Sequence, residues 1–328
     1  MSTPGIIDFH CHHVGAQWSA LRPNFAASQQ ARWEENYRYL HSIDALLEQV
    51  DKGDLEARVI NTPLAFVGGE ERRVPTKIIQ DINDYLAELT LRHHGKLYAL
   101  ASVDAFNGEA GAREAERAIR ELGLSGLFIE SASGDLLLDA AEARPTLQLA
   151  SELKIPVFIH PVNPPVLTER LADYDHQGIL LARGTINAAA LISLLHNDLL
   201  ATLPGLQIVI ATIGIAGLTL SAAFDHTARF LAGTPAELRQ HIYIDTMGFS
   251  PQTIAHAIDL LGSDHVITGS DWPIINRGAI REPLNRVFDS LGLDDDARRN
   301  IASGNLKRLL KLPVARDTGV AQTQRRRQ

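Results

Sequence analysis

The chain has 328 residues, 45% apolar and 21% charged, close to the averages for soluble globular proteins, which excludes a disordered or fibrous chain. Its 31 basic and 39 acidic residues leave a net charge of −8, which argues against a surface that tracks nucleic-acid phosphates. No stretch approaches the 18 or so uninterrupted apolar residues of a membrane span, the amino terminus lacks a basic leader region, and the lone cysteine, Cys11, has no internal partner, so a cytoplasmic protein without membrane attachment is expected.

In chain order, eight short, mostly apolar runs recur: Gly5–Phe9, Ala57–Asn61, Leu97–Val103, Ser125–Ile129, Pro156–Ile159, Gln207–Thr212, Ile242–Asp245 and His265–Gly269. Continuous apolar runs suit strands covered on both faces, as in parallel sheets. Between them lie segments of helical spacing, such as Ile78, Ile82, Tyr85, Leu86 and Leu89, or Ala112, Ala115, Ile119 and Leu122. Gly95 and Gly123 follow these two segments, where a left-handed helix cap favours glycine. Strand alternating with helix eight times predicts a (β/α)₈ barrel in a single α/β domain over residues 1–314. No GxGxxG or GxxxxGK[ST] loop follows a strand, so no nucleotide cofactor is expected.

Two parts lie outside the repeat. Residues 13–40, with Trp18, Arg22, Arg32, Trp33 and Tyr37, make a long first strand-to-helix connection on the face where barrels carry chemistry. They read either as a lid over a pocket or as a surface insertion. The end, residues 315–328, is polar, closes on Arg325-Arg326-Arg327, and is expected to be a disordered tail.

The chemistry sits at strand ends. His10 and His12 follow the first strand in Asp8-Phe-His-Cys-His12, and alternation sends both imidazoles one way and Cys11 the other. His160 closes the fifth run and Asp271 the eighth. In a closed barrel these ends surround one mouth, so three imidazoles and a carboxylate would converge as a site for one divalent metal, zinc first, manganese or iron as alternatives. Arg22, Arg32 and Arg277 are candidates to grip a substrate carboxylate, with Trp18 beside them in the connection. Asn163 either orients a polar substrate group or belongs to the turn Asn163-Pro164-Pro165.

The strings Asp8-Phe-His10-Cys-His12, Gly123-Leu-Ser-Gly126, Ile155-Pro-Val-Phe-Ile-His160-Pro, Leu203-Pro-Gly-Leu-Gln-Ile-Val-Ile210, Tyr243-Ile-Asp-Thr246 and Gly262-Ser-Asp-His-Val-Ile-Thr-Gly-Ser-Asp271-Trp-Pro273 run in order through the chain. Together they resemble the amidohydrolase superfamily, in the amidohydrolase-related group that contains aminocarboxymuconate-semialdehyde decarboxylase. The resemblance implies a distorted (β/α)₈ barrel, one divalent metal on His10, His12, His160 and Asp271, a small-molecule substrate, and a homodimer or higher homo-oligomer.

Members of the group commonly carry a histidine at the end of the sixth strand, where this chain has Thr212, a hydroxyl that is no base near neutral pH. Three accounts follow: another histidine serves, His13, His196 or His226; Asp271 handles the proton beside the metal; or the site binds without turnover. The second is preferred, because a metal lowers the pKa of water from about 15.7 to about 7. The resemblance therefore implies nonoxidative decarboxylation of a small carboxylated aromatic or ring-derived compound. Hydrolysis of a lactone or amide and metal binding without turnover are the alternatives.

Overall fold

The computed structural model describes residues 4–21, 27–68, 73–195, 199–224 and 239–312. The expected tail at 315–328 lies outside the described residues. Among these, nine strand segments are β1 (Ile7–His12), β2 (Ala57–Asn61), β3 (Leu97–Ala99), β4 (Ala101–Ser102), β5 (Leu127–Glu130), β6 (Pro156–His160), β7 (Gln207–Ile210), β8 (Ile242–Asp245) and β9 (Val266–Ile267). Every pairing is parallel, in the order β1-β2-β3 and β4-β5-β6-β7-β8-β9.

β3 and β4 are two halves of one stave. At Leu100 the ladder changes partner: Leu100 N–H donates to Ile60 O at 2.9 Å, and Ala101 N–H donates to Gly126 O at 2.8 Å. The ring closes where Phe9 N–H donates to Thr268 O (2.9 Å) and His12 N–H to Trp272 O (2.8 Å). Nine segments thus form an eight-stave barrel, as the eight sequence runs predict.

Two apolar layers hold it together. Ile7, Phe9, Val59, Leu100, Phe128, Phe158, Val209 and Ile267 fill the barrel, joined by Leu306, Leu309 and Leu310 around the last helix, Asn305–Leu309. The opposite strand faces, such as Ile60, Ile129, Ile159, Ile210 and Ile244, pack in the layer that includes the surrounding helices. This is why the strands read as continuous apolar runs: both faces are covered.

The register of β1 positions the chemistry. Ile7 pairs with Ala57 and Asp8 with Arg58, but the next partners are Cys11 with Ile60, so three residues of β1 advance against two of β2. Strict alternation would have put His10 on the outer face with Asp8. The bulge puts Phe9 and then His10 and His12 on the inner side, and leaves Cys11 in the outer layer, opposite the histidines as expected.

The helix region Ala172–Leu195 is long and apolar enough, by length and composition, to cross a membrane. Of its apolar 18-residue stretch 56% is buried in the fold, with Ala182, Asn187, Leu191 and Leu194 facing inward. Gly184 is required there, since a Cβ would lie 2.7 Å from Ile213 O.

Candidate metal centre

His10, His12 and His160 are almost completely buried, and one ring nitrogen of each lies within 4.8 Å of the others. Asp271 completes the group, its Oδ1 3.5 Å from His10 Nε2 and 3.1 Å from His12 Nε2. Asp271 has φ +55°, an unfavourable region for a residue with a Cβ, at a cost of about 1–3 kcal/mol. The loop is tied down by Asp8, whose Oδ1 accepts from Ser270 N–H (2.9 Å) and whose Oδ2 accepts from Ser270 Oγ–H (2.7 Å).

The ring tautomers are set from behind. His10 Nδ1–H donates to Asp245 Oδ2 at 2.6 Å and His12 Nδ1–H to Asn61 Oδ1 at 2.7 Å, which leaves the Nε2 lone pair of each neutral ring facing the centre. His10 Nε2, His12 Nε2 and Asp271 Oδ1 are buried and have no hydrogen-bond partner among the described residues. Buried acceptors aimed at one another destabilise a fold unless something positive joins them, so this donor set fits one divalent cation.

Electrostatics agree for His12 and His160. Burial pushes His160 well below its ordinary value, helped by His12 and Arg183, and burial also lowers His12, so both stay neutral as ligands must. For His10 burial acts downward, but the charge of Asp271 and the bond to Asp245 outweigh it and raise it. For Asp271 burial acts upward and is outweighed by His10, His12 and Arg183, which hold the carboxyl below the usual range.

A cavity of about 430 Å³ opens onto this cluster, walled by Arg32, Trp33 and Asn36 of helix Ala27–Leu40 and by His176, Ile179 and Arg183 of helix Asp175–Leu195. Part of the first connection thus walls the cavity. A larger neighbouring cavity of about 640 Å³ shares Asn163 but has its arginine, Arg73, paired with Asp104 at 3.1 Å.

The sequence matches the amidohydrolase family model from residue 7 to residue 312. The chain belongs to the amidohydrolase family. This amidohydrolase is 27% identical over 304 residues to gamma-resorcylate decarboxylase of Polaromonas sp. (strain JS666), covering 85% of this chain and 91% of the relative. It is 22% identical over 336 residues to 2-amino-3-carboxymuconate-6-semialdehyde decarboxylase of Dictyostelium discoideum, covering 93% and 91%. Its fold superposes with a TM-score of 0.76 on a dihydroxybenzoic acid decarboxylase from Polaromonas sp. JS666 with bound manganese and the inhibitor 2-nitroresorcinol, at 22% identity, covering 97% of this chain and all (100%) of that one.

In this amidohydrolase the four expected ligand positions come together, and Arg32 and Asn163 line the cavity with them. Trp18 does not: it is buried in the core with its ring edge on Tyr85, 5.5 Å between centroids. Arg277 is turned to structural work, donating to Asn36 Oδ1 and to Pro273 O (3.1 Å), pairing with Glu35 (2.8 Å) and lying over the Tyr39 ring. His13 faces Tyr85, its Nε2 2.9 Å from the hydroxyl, and burial pushes it down to about 3, so its ring is uncharged near neutral pH. Arg22, His196 and His226 lie outside the described residues. Thr212 sits behind the cluster on Asp245.

Sequence reasoning did not single out Arg183, His176 or Asp245. Arg183 Nη2 lies 3.4 Å from His160 Nε2 and its Nη1 donates to Asn163 Oδ1 at 3.4 Å, while His176 Nδ1 lies 3.1 Å from Arg32 Nη1. Gly269 is a further requirement, because a Cβ there would lie 2.9 Å from the Cβ atoms of both Asp245 and His10. Neither anchor can retreat, so Gly269→Ala is expected to destabilise the fold by about 1–3 kcal/mol and loosen cation binding. Urea midpoints of the two proteins check this; an unchanged midpoint would mean that the packing tolerates a methyl.

Proposed function

We propose that this amidohydrolase is a metal-dependent nonoxidative decarboxylase of small aromatic acids bearing a hydroxyl beside the carboxylate. One observation carries the reading: a buried histidine and aspartate cluster with unsatisfied acceptors, at the floor of a 430 Å³ cavity that holds two guanidiniums. The names of its relatives, decarboxylases of gamma-resorcylate and of aminocarboxymuconate semialdehyde, support it. The metal we assign is one manganese ion, on the strength of the manganese in the dihydroxybenzoic acid decarboxylase; zinc is the second reading.

His10, His12, His160 and Asp271 would hold the cation, which when bound supplies Lewis acidity towards the substrate's oxygen atoms. Arg183 and Arg32 bind the anion and orient it, and Trp33 and Phe66 offer apolar wall against the ring. Bringing a carboxylate beside Asp271 raises that group's affinity for a proton. Asp271 then delivers the proton to the ring carbon that bears the carboxylate: the C–H bond forms, the C–C bond breaks, its electron pair returns to the ring, and CO₂ leaves. Reprotonation from solvent restores Asp271.

Hydrolysis asks more of the site, since water must lose a proton and the leaving group must gain one. With Thr212 in place of a histidine, and His13 neutral and turned away, Asp271 is the proton carrier within the ligand cluster itself, while His176 and Asp175 stand on the cavity wall beyond it. That favours the reaction needing a single delivered proton.

The test is the manganese-loaded protein assayed for CO₂ release from 2,6-dihydroxybenzoate and related hydroxybenzoates, beside proton release from lactones and amine release from amides. CO₂ with the matching phenol supports the proposal; proton or amine release alone moves the function to hydrolysis, and silence on both panels with metal retained moves it to binding. Arg183→Gln is expected to raise KM about 10–100-fold, with manganese content unchanged, since one charged contact to the anion is lost. An unaltered KM would remove Arg183 from the binding site. The same reading includes a cytoplasmic homo-oligomer, for which the exposed Leu181, Ile192 and Leu220 offer an apolar contact surface.

A further inference from the structure

The geometry points to Thr212 as a positioning residue that acts through Asp245 to hold the imidazole of His10 for the cation. The inference rests on the reading of the four-residue cluster as a cation site.

Asp245 ends β8 and is 1% exposed. Its Oδ2 takes the Nδ1–H of His10 at 2.6 Å. Its Oδ1 takes the backbone N–H of Thr212 at 2.8 Å, the hydroxyl of Thr212 at 2.7 Å and the N–H of Met247 at 3.2 Å. The Thr212 hydroxyl also lies against the Asp245 carbonyl oxygen, so it clamps both the side chain and the main chain of that residue. Gly269 lies close as well, since a Cβ there would stand 2.9 Å from the Cβ atoms of both Asp245 and His10. One carboxylate oxygen is thus held by three donors, and the other takes the N–H of His10.

A fixed carboxylate does two things for a ligating histidine. It keeps the proton on Nδ1, which leaves Nε2 as the lone pair, and it makes that lone pair more basic. A carboxylate free to rotate would do neither as well. The hydroxyl of Thr212 is committed to Asp245, and Thr212 is not among the residues that wall the cavity. It therefore acts at one remove from any substrate.

The experiment measures manganese affinity by the electron-spin-resonance signal of the free ion for the full chain and for Thr212→Val, Thr212→Ser and Asp245→Asn, with the melting temperature of each metal-free protein. Valine keeps the branched shape and the backbone N–H and removes the hydroxyl alone. The expected result is a manganese Kd about 10-fold weaker for Thr212→Val, restored within about 2-fold by Thr212→Ser, and about 10–100-fold weaker for Asp245→Asn. The metal-free melting temperature of Thr212→Val should stay within about 2 °C of the parent. Equal affinity in Thr212→Val and the parent overturns the inference while leaving the cation site intact. A lower melting temperature with unchanged affinity also overturns it, since the hydroxyl would then serve the fold alone. Failure of the parent chain to bind manganese or zinc would instead overturn the cluster reading on which it stands.

Discussion

Asp271→Asn is expected to lower kcat for CO₂ release by about 10²–10⁴ at saturating manganese, the range associated with a lost general acid. Asparagine keeps the shape of the side chain and an oxygen for the cation, but its amide cannot deliver a proton to carbon. Because Asp271 Oδ1 also stands 3.1 Å from His12 Nε2, the variant should bind manganese more weakly, which is why the comparison is made at saturation. The variant separates two roles: a fall in kcat that survives saturating metal belongs to the proton, and a fall that disappears belongs to the metal. Should kcat at saturation stay within about 3-fold of the parent, the proton comes from elsewhere, and the single-carrier argument for decarboxylation over hydrolysis goes with it. Asp271→Glu is the companion. It restores an acid on a longer arm, and partial recovery would show that the proton, and not the charge alone, is what the asparagine variant lacks.

The barrel was legible in the sequence because parallel strands buried on both faces leave uninterrupted apolar runs, and all eight runs correspond to staves. The break at Leu100 was not, since Leu97–Val103 is apolar throughout and only the hydrogen bonds show the ladder changing partner. Alternation gave the relation among His10, Cys11 and His12 correctly. It could not say which side faces inward, because the inner Ile7 and Phe9 and the inner His10 and His12 are incompatible with strict alternation until a bulge lies between them. A bulge of this kind has no signature in Asp8-Phe-His-Cys-His12.

The binding residues divide by a similar logic. Arg32 and Trp18 sit in one connection, but sequence proximity does not say which side chain turns to the cavity; Arg32 does, while Trp18 joins the core against Tyr85. Arg277 follows Asp271 by six residues and still turns away, drawn to Glu35 and Asn36. Arg183 went unseen because it lies inside an apolar helix where nothing in the pattern marks it, and only the packing of that helix beside β6 brings it to His160. Asp245 was in view as part of Tyr243-Ile-Asp-Thr, but its task depends on the neighbouring stave and is invisible until β7 and β8 are side by side.

The second large effect is loss of the cation on His160→Ala. His160 comes from the far side of the barrel to meet two histidines of β1, so removing it tests convergence itself and not a local motif. Zinc-finger sites of four ligands are worth roughly 10–16 kcal/mol, which is about 3 kcal/mol per ligand and about 10²-fold in affinity, as an order of magnitude for this site too. Manganese Kd should rise by at least about that factor and CO₂ release should vanish at metal concentrations that saturate the parent. Alanine also leaves a hole beside Phe128 and Phe158, whose rings lie 5.0 and 6.0 Å from the His160 ring, so His160→Gln is measured alongside to keep the volume filled. Both variants must lose the ion for the site to stand. On the parent protein the matching experiment is chelation: activity should disappear with EDTA and return with manganese. A cation held at 100 times its Kd contributes about 2.7 kcal/mol, so the melting temperature should fall as the metal leaves. A chelated protein that keeps its melting temperature and its turnover would mean that the orphaned acceptors of His10, His12 and Asp271 face one another for a reason other than a metal.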